Sequence, residues 1–246
     1  MLLEYRVPEV WINDHDRSVF AFWFAVKRHP EELCRRIRAI RLTVAEWRRQ
    51  REVHLAQSPD LMDLAFATFF LNRTNRSGVL RAGVIGGLAQ EGRWRLSARF
   101  NKRDLIQRIE SIAQETNRLR VTCLDAVQLL RQPATSASTV FLFIDPPYFR
   151  KTDRRLYCND YSPGDHDRLS RLLRGRGVPW LLSYDNCSEI RRMYRWSASL
   201  PYDLSYTAGR KRRGSEVLLV SPKTQFPPVA HPDRLTHAEV GAMIGG

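Results

Sequence analysis

Residues 139–148 read TVFLFIDPPY, and the rest of the chain is placed by reference to them. Residues 140–144 are all apolar, rich in β-branched and aromatic types, too short a run for a helix and preceded by a Ser/Thr/Ala/Pro stretch. They predict a strand buried on both faces, as a parallel sheet requires. Two prolines end it. Pro147 has no backbone donor, fixes its own φ and pushes Pro146 out of the α region, so Asp145 and the two rings form a stiff, extended corner. Ligands of open α/β sheets bind beyond the carboxyl ends of the strands. Asp145 and Tyr148 stand there. A carboxylate that only accepts, a prolyl carbonyl outside any ladder and an aromatic face suit a flat ring with an exocyclic amine. The plain alternative is a strand-to-loop turn that happens to hold two prolines.

At 246 residues the chain has room for one large α/β domain, or for a core with a smaller insertion. Lys and Arg number 40 against 26 Asp and Glu, a net charge of +14, and all but Lys27, Lys102, Lys151, Lys211 and Lys223 are arginine. Arginine favours planar, bidentate contacts to phosphate and guanine edges, although a GC-rich coding sequence produces the same excess. Cys34, Cys123, Cys158 and Cys187 lie far apart, with no Cys-x-x-Cys pair and no histidine at zinc-ligand spacing. They read as reduced thiols of a cytosolic protein without a metal site. No apolar run reaches transmembrane length and no signal pattern opens the chain, so a cytoplasmic, nucleoid-associated protein is expected.

Asp145-Pro146-Pro147-Tyr148 after a hydrophobic strand resembles motif IV of the amino-methyltransferases that modify adenine or cytosine in DNA. Residues 70–87, FLNRTNRSGVLRAGVIGG, resemble the target-recognition segment of the Dam-like, D12 class adenine-specific DNA methyltransferases, with Asn72, Arg73, Gly78 and Arg81 at matching positions. The RFNKRDLIQRIESI stretch resembles the helix that closes the recognition insertion in the same family. The resemblance runs from Val10 to about Pro222. It implies methyl transfer from S-adenosylmethionine to the exocyclic amine of adenine in double-stranded DNA. Asp145, Pro146, Pro147 and Tyr148 become the catalytic residues. Asn72, Arg73, Arg76, Ser77 and Arg81 become DNA contacts, with the loop at Arg76 and Ser77 entering the duplex beside the extruded base. Without the resemblance this is only a Gly/Arg/Asn loop.

Upstream, Val10, Trp11 and Ile12 read as a short strand ending at Asn13 and Asp14, before a helical face over residues 18–27. In nucleoside-binding α/β folds a carboxylate at the end of the second strand accepts from the ribose hydroxyls. Asp14 fits that place, and Asn13-Asp14 with Asp16 resembles the family's second motif. A helix cap is the alternative. The family also carries a lysine-bearing segment and a glycine-rich turn after a first strand, which this sequence lacks. The expectation is a chain truncated at its N-terminus, with a gap where that strand would lie between the second and the fourth.

Residues 30–57 read as one or two basic amphipathic helices, either a solvated face or a track for phosphates. Residues 119–124 read as a strand ending at Asp125, near the cofactor's adenine by resemblance and equally a helix cap. Beyond the DPPY corner, residues 150–162 read as a flap, 165–174 as a helix and 178–183 as a second buried strand. Tyr184, Asp185 and Asn186 are expected to cap the next helix. Residues 200–206 and 215–221 form a closing antiparallel pair around the basic loop GRKRRG, a phosphate clamp or a solvated turn.

The expected architecture is thus a Rossmann-like, S-adenosylmethionine-dependent methyltransferase sheet, lacking its first strand and glycine-rich motif, with a mostly helical recognition insertion. Residues 1–30 and 119–222 form the catalytic domain and 31–118 the insertion. The tail, 223–246, holds a capping box at Thr236 and resembles half of a helix-turn-helix. Transfer to the cytosine amine and a non-catalytic DNA-binding remnant are the alternatives.

Overall fold

The computed structural model describes residues 2–4, 6–150, 161–206, 212–222 and 224. They fall into two compact units, one ending at Leu124 and one beginning at Asp125. In the first, β1 (Val10–Asn13) leads into α1 (Arg17–Arg28). Asp16 starts that helix by accepting from the backbone N–H and the hydroxyl of Ser18. The basic stretch holds two helices. α2 (Pro30–Ala39) opens on a proline, whose missing donor costs nothing in a first turn, and α3 (Val44–Leu55) opens on Thr43.

α4 (Leu61–Thr74), capped by Asp60, is buried at every residue from Leu64 to Leu71 because α1 and α3 both pack on it. Its Phe66, Phe69 and Phe70 meet Ala21, Ala25, Leu33, Ile37 and Phe100 in one core. Withdrawing a ring such as Phe70 from water stabilises by roughly 1.5–3 kcal/mol. α5 (Lys102–Ala113) adds Ile106 and Ile109 to this core, with Leu105 and Ile112 at its margin. α1, expected in the catalytic part, therefore shares a core with the helices of the expected insertion. β2 (Leu119–Thr122) closes the unit, parallel to β1 with Val10 opposite Leu119 and Asn13 opposite Thr122.

The second unit runs α6 (Ala126–Leu130), β3 (Leu142–Ile144), α7 (Pro163–Arg174), β4 (Trp180–Asp185), α8 (Ser188–Met193), β5 (Ala198–Tyr206) and β6 (Arg212–Val220). Its sheet has the order β3-β4-β6-β5, with β3 and β4 parallel and β6 antiparallel to both its neighbours. β4 is buried along Trp180 to Tyr184, and Trp180, Leu182 and Tyr184 join Leu169, Leu173, Ile190 and Tyr194 in the core.

Two elements depart from expectation. β3 is shorter than its apolar run and is not buried on both faces. Leu142 and Ile144 pack on the core, whereas Phe143, on the opposite face, and Phe141 just before it are 51% and 49% exposed. Among the described residues β1 and β3 each pair along one edge only. Nor do Tyr184, Asp185 and Asn186 cap α8: β4 continues through Asp185, and Cys187 precedes the helix without a side-chain cap. Asp185 is drawn elsewhere by a stronger demand, and Asn186 bonds Ser215 and Arg191. Most of the expected flap (150–162), part of the GRKRRG loop (209–214) and nearly all of the tail from 223 lie outside the described residues. Among the described residues no helix is long and apolar enough to cross a membrane.

Candidate active site

Pro146 is buried, while Pro147 and Tyr148 are half-buried, so the corner after β3 is held by packing as well as by its rings. Tyr148 and Phe149 lie against the margin of the second core. Register sets the neighbours: Ile144 pairs with Leu182, which brings the next residues, Asp145 and Ser183, side by side. The Ser183 hydroxyl donates to Asp145 Oδ1 at 2.5 Å. Among the described residues nothing donates to Asp145 Oδ2 or to the Pro146 carbonyl.

Asp145 keeps solvent-accessible surface, yet protein crowds its carboxyl group. That desolvation raises its pKa above the ordinary aspartate value; the Ser183 bond pulls it down and the charge of Glu216 pushes it up again. The remaining water keeps this shift smaller than that of an enclosed carboxyl. Glu216 on β6 is buried and accepts from the Tyr202 hydroxyl at 2.5 Å.

Past Tyr148 the chain is fastened again. Asp185 Oδ1 accepts from the Phe149 N–H at 2.7 Å and Oδ2 from the Arg150 N–H at 2.9 Å. The Phe149 and Tyr161 rings both lie on His166, with centroids 5.1 and 5.2 Å away, and His166 Nδ1 meets the Tyr184 hydroxyl at 2.7 Å. Burial first, then Asp125 and Asp165, pushes the Tyr161 phenol up to about 12.

The expected cofactor residues divide between the units: Asn13 and Asp14 belong to the first and Asp125 to the second. Asn13 ties the ends of the parallel strands together, accepting from the Thr122 hydroxyl and the Leu124 N–H and donating to the Leu124 carbonyl. Asp14 stands at the carboxyl end of β1 and accepts from the Asp16 N–H at 2.8 Å. The helix cap is Asp16, not Asp14. Asp125 caps α6 in a reciprocal box with Gln128, as its alternative reading had it.

The residues expected to contact DNA lie in the last turn of α4 and in the loop after it. Asn72 donates to the Gly78 carbonyl and accepts from both Nε and Nη2 of Arg73. Arg73 is pushed below the ordinary arginine value by partial burial, then by Arg99 and Arg108. Ser77 and Gly78 both take left-handed backbone, with φ of 55° and 73°. A Cβ on Gly78 would lie 3.1 Å from Asn72 Nδ2 and 3.3 Å from the Arg99 guanidinium, so those groups would have to give way, and the positive φ strains any other residue there. Arg76, Ser77 and Arg81 are exposed. The loop's anchor is Asn75, wholly buried: it accepts from Trp47 Nε1 at 2.6 Å and donates to the carbonyls of Val79 and Leu80 at 3.0 and 2.8 Å.

The second unit thus carries a proline-stiffened Asp-Pro-Pro-Tyr corner at the carboxyl end of a parallel strand, and the first an arginine-bearing loop on a helical core. The family model of the D12 class N6 adenine-specific DNA methyltransferases matches residues 1–204. The chain belongs to this family. No curated protein matches it. Membership accounts for a mixed α/β chain with DNA as the family's substrate. Ser183, Asp185 and Asn75 were not singled out from sequence as site residues. A signal existed for two of them, since a Ser-x-Asp at the end of the second buried strand falls where α/β sheets place ligands.

Proposed function

We propose that the chain transfers a methyl group from S-adenosylmethionine to the N6 amine of adenine in double-stranded DNA. The observation that carries this reading is the Asp145–Pro146 ledge: one carboxylate oxygen is held by Ser183, while among the described residues nothing donates to the other oxygen or to the prolyl carbonyl. Within the second unit, the parallel pairing of β3 with β4 and the antiparallel β6 beside them support the Rossmann-like reading. A carboxylate at the carboxyl end of β1 has the chemistry to accept from two ribose hydroxyls, so Asp14 fits the cofactor. Asn13 would hold the strand end on which Asp14 sits, and Asp125 would approach the adenine ring of the cofactor.

The cofactor supplies an electrophilic methyl carbon on a sulfonium. The residues of this chain prepare the nucleophile. The adenine N6 lone pair is delocalised into the ring, and hydrogen bonds from the amine to Asp145 and the Pro146 carbonyl favour a more tetrahedral nitrogen with its lone pair directed outward. Pro147 stiffens the ledge and Tyr148 stacks on the ring. A stacked base cannot reach such a ledge, so the target flips out while Asn72, Arg73, Arg76, Ser77 and Arg81 hold the duplex.

Incubation of the full chain with tritiated S-adenosylmethionine and duplex DNA, followed by nucleoside analysis, is expected to yield N6-methyladenine. Label on the cytosine amine, or tight DNA binding without cofactor binding, would overturn the reading. Asp14→Ala is expected to weaken cofactor binding about tenfold or more by calorimetry, the equivalent of one or two hydrogen bonds to a charged group. An unaltered affinity would remove the ribose assignment.

A further inference from the structure

β4 reaches the Asp-Pro-Pro-Tyr corner from below at two points. Ser183 and Asp185 are two residues apart and therefore on one face of the strand. The first touches the corner before its prolines, at Asp145 Oδ1, and the second after them, at the N–H groups of Phe149 and Arg150. Ser183 is 8% exposed, and its hydroxyl hydrogen is directed at the carboxylate. Both oxygens of Asp185 are used, one on each of two consecutive backbone donors.

We propose that Ser183 and Asp185 are positioning residues for methyl transfer: Ser183 fixes the rotation of the Asp145 carboxylate, so that Oδ2 faces the target amine, and Asp185 fixes the chain that carries Tyr148. This rests on the catalytic reading of Asp145 and Tyr148. A carboxylate on a two-torsion side chain turns freely unless one oxygen is held, and a ledge formed by prolines is only as well placed as its two ends. Prolines supply no N–H of their own, so the first donors beyond the corner are those of Tyr148, Phe149 and Arg150, and Asp185 takes the last two. Ser183 also acts on charge. Its donated hydrogen bond favours the ionised, accepting form of Asp145 against Glu216, the buried carboxyl on β6 whose charge disfavours it and which is itself bonded to Tyr202 on β5.

The test uses the full chain carrying Ser183→Ala, Ser183→Thr, Asp185→Ala or Asp185→Asn. Ser183→Ala is expected to lower kcat about tenfold, the loss of one charge-assisted hydrogen bond, with KM for DNA little changed. It should also move the acid limb of the kcat profile to higher pH. Ser183→Thr, which keeps the hydroxyl, should restore both. Asp185→Ala is expected to lower kcat about a hundredfold, as a displacement near 1 Å does, and Asp185→Asn, with one acceptor oxygen left, by less.

Two readouts need no turnover. Carbon-13 titration of the Asp145 carboxyl, without DNA or cofactor, should shift upward in Ser183→Ala and return in Ser183→Thr. Amide exchange at Phe149 and Arg150 should accelerate in Asp185→Ala. A chain with no methylation but with both of these changes would refute the proposed function and leave the contacts standing. An Asp145 titration indifferent to Ser183, or amide protection indifferent to Asp185, would overturn the positioning roles whatever the activity.

Discussion

Asp145→Ala is expected to reduce single-turnover methylation about a thousandfold or more, with DNA affinity nearly unchanged. The magnitude is that of removing a preorganised polar group from the position where charge develops in a transition state. Without the carboxylate, the amine keeps one acceptor, the Pro146 carbonyl, and nothing directs its second hydrogen. DNA binding is spared because the residues assigned to the duplex stand in the last turn of α4 and on the loop after it, which Asn75 anchors. Asp145→Asn should be almost as damaging, since an amide can turn a donor toward an amine that also donates.

The pH dependence follows from the same site. Crowding of its carboxyl group raises the Asp145 pKa, and the proposed reaction uses the ionised form, so activity is expected to fall as pH drops through a value above the ordinary aspartate range. The stability sign is the reverse. A carboxyl whose pKa is raised in the folded state contributes its stability at low pH, and that contribution is lost as pH rises through the folded value. At neutral pH the ionised Asp145 is thus a burden on the fold, and Asp145→Asn is expected to keep or raise the melting temperature while abolishing turnover. Unchanged turnover in Asp145→Ala would remove the catalytic assignment. A lowered melting temperature in Asp145→Asn would show that the carboxylate serves the fold instead.

The corner was legible because prolines impose their backbone wherever they stand: the end of β3 at Ile144 follows from two adjacent rings alone. Helix starts are set as locally, since Asn101 beside Asp104 and Ser162 beside Asp165 satisfy donors within one turn, yet neither cap was read from the sequence, and the helix expected from residue 165 starts at Pro163. What failed to show was set at a distance. An apolar run such as residues 140–144 says that a strand forms, not which of its faces another element covers, and Phe143 is on the open one. Asp185 followed by Asn186 before a helical stretch carries every local mark of a cap. Its partners lie 36 and 35 residues earlier, and a carboxylate offered two backbone donors that nothing else serves goes to them. The loop expected to enter the duplex was placed by resemblance, and nothing within it points to Trp47, 28 residues before Asn75, as the group that holds its anchor.

That anchor carries the largest expected loss of stability from a polar side chain. Asn75→Ala is expected to destabilise the chain by roughly 2–4 kcal/mol, because three groups lose their partner at once in a fully buried site. Trp47 Nε1 is left as a buried donor and the Val79 and Leu80 carbonyls as acceptors. Asn75→Asp should be at least as costly, since it turns an acceptor toward those two carbonyls and buries a charge. The same bonds set the path of the loop. Asn75 also pairs across with Val84, the Arg76 N–H donates to the Gly83 carbonyl, and the Ile85 N–H donates to that of Thr74. Freed from Asn75, residues 76–81 lose the frame that presents Arg76, Ser77 and Arg81, and DNA affinity should fall well below the melting temperature. Urea unfolding gives the first quantity and fluorescence anisotropy at fixed salt gives the second. Arg81→Ala serves as the contrast: it should weaken binding and flatten the salt dependence, as the loss of one phosphate contact does, without touching stability. If Asn75→Ala unfolds within about 0.5 kcal/mol of the wild type, as ordinary surface changes do, the loop is held by something other than this side chain.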